Sequence, residues 1–195
     1  TFMRKYLRVL YQAQGNALMA ELTHPKRGFF ISEANYKAFD ELTHNPHKTD
    51  WQALWINYYP YTKGDIYECR GIYLFRQDRI DEALALFEKI PWETRGAEYD
   101  SGKDKLVNEK RRLSEKALAV SPFKGGVYDM YYYDYITPPR VEYTKISFLR
   151  KAKQLKDRIA QGKDVYHNTI QLGNAFCNTS FYGVSRQFYH NEIIG

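Results

Sequence analysis

Apolar and polar positions in this chain recur with the 3.6-residue period of amphipathic helices, broken at intervals by proline, glycine and polar turns. The cleanest stripe is Ile146, Leu149, Ala152, Leu155 and Ile159. It predicts a helix from about Thr144 to Gln161 with Gly162 as its stop. Trp51, Leu54, Trp55 and Tyr58 recur at helical spacing and end at Pro60, which predicts a short helix capped by Thr49 or Asp50. Ser32 to Leu42 reads as another, with Ser32 as its cap and Ala34, Tyr36, Ala38 and Phe39 as its apolar residues. Leu106, Leu113 and Ala117 carry helical periodicity over Asp104 to Ala119. From Ser121 to Arg140 the pattern fails. Pro122, Gly125, Gly126, Pro138 and Pro139 predict a long irregular insertion there, and such loops are often functional.

A repeat unit stands out between Gly64 and Pro91. Tyr67, Gly71, Leu74, Ala83 and Phe87 fall at relative spacings of 0, 4, 7, 16 and 20, which resembles the signature of the tetratricopeptide repeat, a helix pair of about 34 residues. The spacing has a physical logic. Gly71 and Ala83 fall where two helices cross and only small side chains let the backbones approach. Tyr67, Leu74 and Phe87 then fill the flanks. Arg76-Gln77-Asp78-Arg79 supplies the turn, Asp81 and Glu82 favour the positive end of the second helix, and Pro91 stops it. Leu172, Gly173, Phe176, Ser185 and Tyr189 repeat the spacing near the C-terminus, with Tyr182-Gly183 as the turn region. Gly15-Asn16-Ala17 recurs as Gly173-Asn174-Ala175. In that first copy Ala34 stands for the small residue of the partner helix, after a lengthened turn at His24-Pro25-Lys26-Arg27-Gly28.

The resemblance implies an all-α fold, antiparallel helix pairs stacked as a tetratricopeptide-like right-handed superhelix with one long irregular tyrosine-rich loop. It is expected to form a single domain over 1–195, with the clear repeat at 64–91, a second at about 166–192, a degenerate pair at about 2–43 and the insertion at 121–140. Ile193-Ile194-Gly195 makes a poor polar cap, so the chain is expected to be a fragment of a longer array.

Two further stretches are Ser121-Pro122-Phe123 ahead of Tyr143-Thr144-Lys145-Ile146-Ser147-Phe148-Leu149, and Leu172-Gly173-Asn174-Ala175-Phe176-Cys177-Asn178-Thr179-Ser180-Phe181-Tyr182-Gly183. They resemble multi-repeat proteins of uncharacterised function from Bacteroidetes, in which a proline-phenylalanine loop precedes a helix and a Leu-Gly-Asn helix is followed by an Asn-x-[Ser/Thr]-[Tyr/Phe]-[Tyr/Phe]-Gly turn. The chain departs from that pattern in its loop, where Tyr128-Asp129-Met130-Tyr131-Tyr132-Tyr133-Asp134-Tyr135 replaces polar, cysteine-bearing sequence. The resemblance implies a helical-repeat protein exported to the periplasm or cell surface. It transfers no catalytic residue.

Composition changes the picture only in part. With 195 residues and 44% hydrophobic content the chain can build one core. No apolar run approaches the ~20 residues of a membrane span. The first ten residues lack the uninterrupted apolar stretch of a signal peptide, and the chain opens on Thr1, as a mature or excised segment would. A net charge of +6 invites nucleic acid, but 23 acidic residues interleave with 29 basic ones. Lys110-Arg111-Arg112, flanked by Glu109 and Glu115, reads as a solvated helix face. Cys69 and Cys177 form no disulfide framework or zinc spacing, and each reads as a small hydrophobe. His44 and His47 near Asp50 carry two nitrogens and a carboxylate, but Pro46 makes the stretch a turn rather than a metal site. There is no Gly-x-Ser-x-Gly elbow, His-Glu-x-x-His or phosphate-cradling glycine loop. No catalytic residue, metal site or cofactor is therefore expected.

Aromatic residues make up 16% of the chain, with 18 tyrosines. In the insertion, Tyr128, Tyr131, Tyr132, Tyr133 and Tyr135 offer an aromatic platform for sugar rings, a peptide or a partner, with Asp129 and Asp134 as acceptors. The same rings serve equally as a plug that packs on neighbouring helices. The tetratricopeptide resemblance places a ligand on the concave face of the first helices. By position its residues are Asp65, Glu68, Phe75 and Arg76 in the clear repeat and Asn174 and Asn178 in the later one, which suit peptide recognition and intramolecular hydrogen bonding alike. The leading expectation is a non-catalytic scaffold that binds a protein or peptide. The alternative is a glycan or cell-wall binder using exposed aromatics, and the third is single-stranded nucleic-acid binding.

Overall fold

The computed structural model describes residues 2–91, 93–94, 98–100, 105–107, 110–111, 116–118, 121–125, 143–180 and 182–194. Among the described residues run eight α-helices: α1 Phe2–Ala13, α2 Ala17–Thr23, α3 Glu33–His44, α4 Asp50–Asn57, α5 Lys63–Arg76, α6 Ile80–Lys89, α7 Lys145–Ala160 and α8 Val165–Asn178. Two 3-10 turns, Phe29–Ile31 and Arg186–Tyr189, interrupt the connections. Short antiparallel ladders join β1 (Glu93–Thr94) to β4 (Lys110–Arg111), β2 (Glu98–Asp100) to β3 (Lys105–Val107) and β5 (Ala117–Leu118) to β6 (Tyr143–Thr144). The protein is mostly helical, and no described helix is long and apolar enough to cross a membrane.

The helix starts are written in threonine and serine. Thr49, Thr62 and Thr144 each accept a hydrogen bond from a backbone amide three residues on, and the side chain at that position reaches back to complete a capping box. Ser32 caps α3 more simply, through the amide of Asn35. The stops are equally local. Asp78 and Gly162 take left-handed backbone angles, φ +60° and +69°. In each case the next residue's amide returns to the helix, Arg79 to the Leu74 carbonyl and Lys163 to the Arg158 carbonyl, at 3.0 and 2.9 Å. These Schellman turns reverse the chain sharply, so α5 and α6, and likewise α7 and α8, lie side by side as antiparallel pairs.

Helix α5 is the axis of the molecule. Ten of its fourteen residues are buried, as expected for a helix packed on every side. One core cluster gathers Met19, Leu22, Phe30, Phe39, Trp55 and Ile66 around its first half. The other gathers Phe75, Phe87, Phe148, Leu149 and Phe188 around its second half. Gly71 lies at the α5–α6 crossing as its spacing predicts. A Cβ there would sit 2.5 Å from Cε2 of Phe87, so an added methyl would overpack the site at a cost of about 1–3 kcal/mol.

Several expectations are corrected. Between Asp104 and Ala119 the described residues include the strands β3, β4 and β5 where a helix is expected. The periodic positions Leu106, Leu113 and Ala117 are too few and too widely spaced to hold an amphipathic face against a core. Ala34 is exposed rather than at a crossing. After Ser185 the chain forms the 3-10 turn Arg186–Tyr189 instead of a second helix. Phe188 turns inward there, among Phe75, Phe87 and Phe148. Cys177 is exposed, not a core hydrophobe.

The insertion is closed at its base, where Leu118 pairs with Tyr143 and the Lys145 amide donates to the Lys116 carbonyl at 2.9 Å. Its first residues tuck against α8. Phe123 is buried beside Tyr143 and Phe148.

Candidate functional site

Of the residues expected to line an open concave face, only Arg76 is exposed, with its guanidinium 4.9 Å from the ring centre of Tyr189. Asp65, Glu68, Phe75 and Asn178 are buried, and Asn174 is half-buried. Asp65 completes the α5 cap by accepting from the Thr62 amide at 2.9 Å. Glu68 accepts from Lys145 and Asn191, each at 2.7 Å. Phe75 stacks on Phe176 at 4.7 Å. Asn178 donates to the carbonyls of Pro122 and Lys124 at 2.9 Å, and Asn174 to that of Phe123 at 3.3 Å.

These asparagines do bind backbone, but it is a turn of the chain's own. The face is filled because the first residues of the insertion, Ser121 to Lys124, and the segment after α8 fold onto it. The tyrosine cluster Tyr128–Tyr135, with Asp129 and Asp134, lies outside the described residues, and the glycan reading that rests on it lies there too. Among the described residues no three of His, Cys, Asp and Glu converge as a metal site would require.

An open cavity does exist elsewhere, between α1, α2, the Phe29–Ile31 turn and α3. Its volume of about 430 Å³ falls within the range of small-ligand and side-chain pockets. Helix α1 contributes Arg8 and Gln12, four residues apart on one face. Gly15, at φ +72°, lets the chain reverse into α2, which Asn16 caps through the Met19 amide at 3.0 Å. After α2, Pro25-Lys26-Arg27-Gly28 wraps the mouth, with Gly28 at φ +86°. Asn35 pins this turn by donating to the Phe29 carbonyl at 3.0 Å.

At the cavity's inner wall lies Glu21, which is buried. One carboxylate oxygen accepts from the Tyr59 hydroxyl at 2.7 Å and the other from the Lys26 amide at 2.9 Å. Burial pushes its pKa above the ordinary value, against the opposing effects of the Tyr59 and Lys26 hydrogen bonds and the Arg8 charge. Tyr59 is raised too, by burial first and then by the Glu21 charge. Glu21 is thus satisfied by two donors from within the fold. Arg8, Lys26 and Arg27 form no ion pair with a described residue. Three cations face one internally bonded carboxylate, with Gln12 and Asn35 as amides and Ala20 and Phe29 as apolar wall. That combination suits an anionic group carried on a partly apolar body.

Sequence reasoning passed over this cavity, having read Lys26 and Arg27 as part of a lengthened turn. The signal it held was Glu21, a lone acid inside the apolar run Leu18-Met19-Ala20-Glu21-Leu22. Comparison with family models, with curated proteins and with solved structures finds no match to this chain.

Proposed function

We propose that the chain is a non-catalytic helical-repeat scaffold of the tetratricopeptide-like kind that holds a protein partner by an acidic peptide segment. The α5–α6 crossing at Gly71 and Ala83 supports the repeat reading, with α7–α8 as the following pair and the strands between them as an insertion. Successive pairs of this kind would wind as a right-handed superhelix. The single observation that carries the binding reading is the cavity beside α1 and α2, in which Arg8, Lys26 and Arg27 surround an opening with no described carboxylate paired to them. Charge-assisted bonds from guanidinium to carboxylate are the strong and directional way to read an acidic side chain.

The test is fluorescence anisotropy with labelled oligoglutamate, oligolysine and neutral peptides of equal length. Oligoglutamate is expected to bind, with affinity falling as salt rises. Arg27→Glu is expected to weaken it roughly tenfold, about 1.4 kcal/mol. Equal binding of acidic and neutral peptides, or of none, would overturn the reading.

A further inference from the structure

Two helices, one in each half of the molecule, turn an apolar face outward. In α1 no residue is buried. Leu7 and Tyr11 lean on the core formed by α2, α3 and α4, and the opposite side carries Phe2, Tyr6, Val9 and Ala13 at spacings of 4, 3 and 4, with Met3 and Leu10 beside them. Phe2 is 82% exposed, Met3 64% and Val9 61%. In α8 the outward side carries Tyr166, Ile170, Gly173 and Cys177, again at spacings of 4, 3 and 4. Tyr166 is 80% exposed, and Gly173 and Cys177 are exposed as well.

Gly173 is the informative member. Glycine weakens a helix interior, and within this chain it has a visible use at Gly71, where the ring of Phe87 occupies the space a Cβ would take. At Gly173 a Cβ would meet no heavy atom within 4 Å among the described residues. The segment whose spacing matched a partner helix for Gly173 folds inward instead, as the 3-10 turn that buries Phe188. The α8 face therefore offers room for a helix that the described residues do not supply.

We infer that the α1 face of a second copy of this chain docks on the α8 face, with Gly173 receiving an aromatic ring of α1, so that copies associate head to tail. Charge favours this pairing over α1 against α1. Helix α1 carries no acid, and its exposed Lys5 borders the apolar face, while Arg4 lies over the Trp55 ring and Arg8 lines the cavity, so two copies of it would oppose like charges. Helix α8 carries no lysine or arginine, and Asp164 stands at its start. Different faces on the two copies make the contact heterologous, and growth continues beyond two chains unless the rotation closes a ring. One helix pair buries little area, so the association is weak and depends on concentration.

The experiment is light scattering on the 195-residue chain over a range of concentrations, with two variants. Tyr6→Glu with Val9→Glu spoils the α1 face, and Gly173→Glu spoils the α8 face. Both sets of positions are exposed, and the last removes a helix-weakening glycine, so folding is retained and checked by circular dichroism. The wild type is expected to rise in mean mass with concentration past the dimer or to a closed ring. Each variant alone is expected to stay monomeric, and the equimolar mixture to form a one-to-one dimer through the faces left intact. A wild type that stays monomeric overturns the inference, whether or not it binds anionic lipid vesicles. Self-association surviving in the Gly173 variant, which would mean α1 against α1, or in the α1 variant, which would mean α8 against α8, overturns it equally.

Discussion

Lys145 and Glu68 are 77 positions apart in sequence, and neither side chain has any exposed surface. The ammonium donates to Glu68 at 2.7 Å and to the His190 carbonyl at 2.8 Å. Glu68's second oxygen accepts from Asn191, whose amide also reaches the Asp65 carbonyl. One buried charge pair thus ties α5, α7 and the last segment together. Its net stabilisation is small, because desolvating both ions offsets most of their attraction, but removing one partner strands the other. Lys145→Met is therefore expected to lower stability by about 3–5 kcal/mol. Lys145→Met combined with Glu68→Leu is expected to recover part of that loss. Urea unfolding of the two variants checks this, and a double variant no more stable than Lys145→Met would show that the stranded carboxylate is not the cause.

Between elements, the joint most open to test is α8 with the start of the insertion. Asn178 satisfies two backbone carbonyls there, each bond contributing about 0.5–1.5 kcal/mol. Asn178→Ala should cost about 2 kcal/mol and speed proteolytic cleavage near Lys124. Asn174→Ala, which loses one longer bond, should cost less. Unchanged cleavage would mean that the Phe123 ring alone anchors the segment. These asparagines also mark the limit of what sequence reveals. Helix limits were legible wherever a local cap or stop fixed them, as at Thr49, Thr144 and Gly162, because the deciding hydrogen bonds span three to five residues. The Gly71 crossing was legible because a small residue at that spacing has one good use. The strands β1 to β5 were not, since elements of two or three residues show no period. Nor was the fate of Glu68 or Asn178, whose partners lie 54 to 123 positions away. Nothing local distinguishes an asparagine that awaits a peptide from one already holding its own chain.

At the scale of the whole molecule, the proposed binding of an anion at the α1–α2 cavity is expected to depend on pH through Glu21. Burial raises the pKa of this carboxyl. A raised acid favours the native state below its ordinary value, near 4.5, and that contribution is lost as pH climbs through the raised value. Binding follows the same sign. Above the raised value a carboxylate opposes an incoming anion, and below it Arg8, Lys26 and Arg27 act unopposed. The probe must keep its own charge, so a peptide of cysteic acid, whose sulfonates stay ionised, replaces oligoglutamate. Its affinity is expected to rise as pH falls through the raised value, by roughly fivefold, one charge interaction of about 1 kcal/mol at a solvent-accessible site. Glu21→Gln tests whether this carboxyl is the cause. That variant should bind the peptide more tightly at neutral pH and lose most of the pH dependence. If it keeps the full dependence, another group carries the effect, and Glu21 serves only to anchor the Lys26 turn.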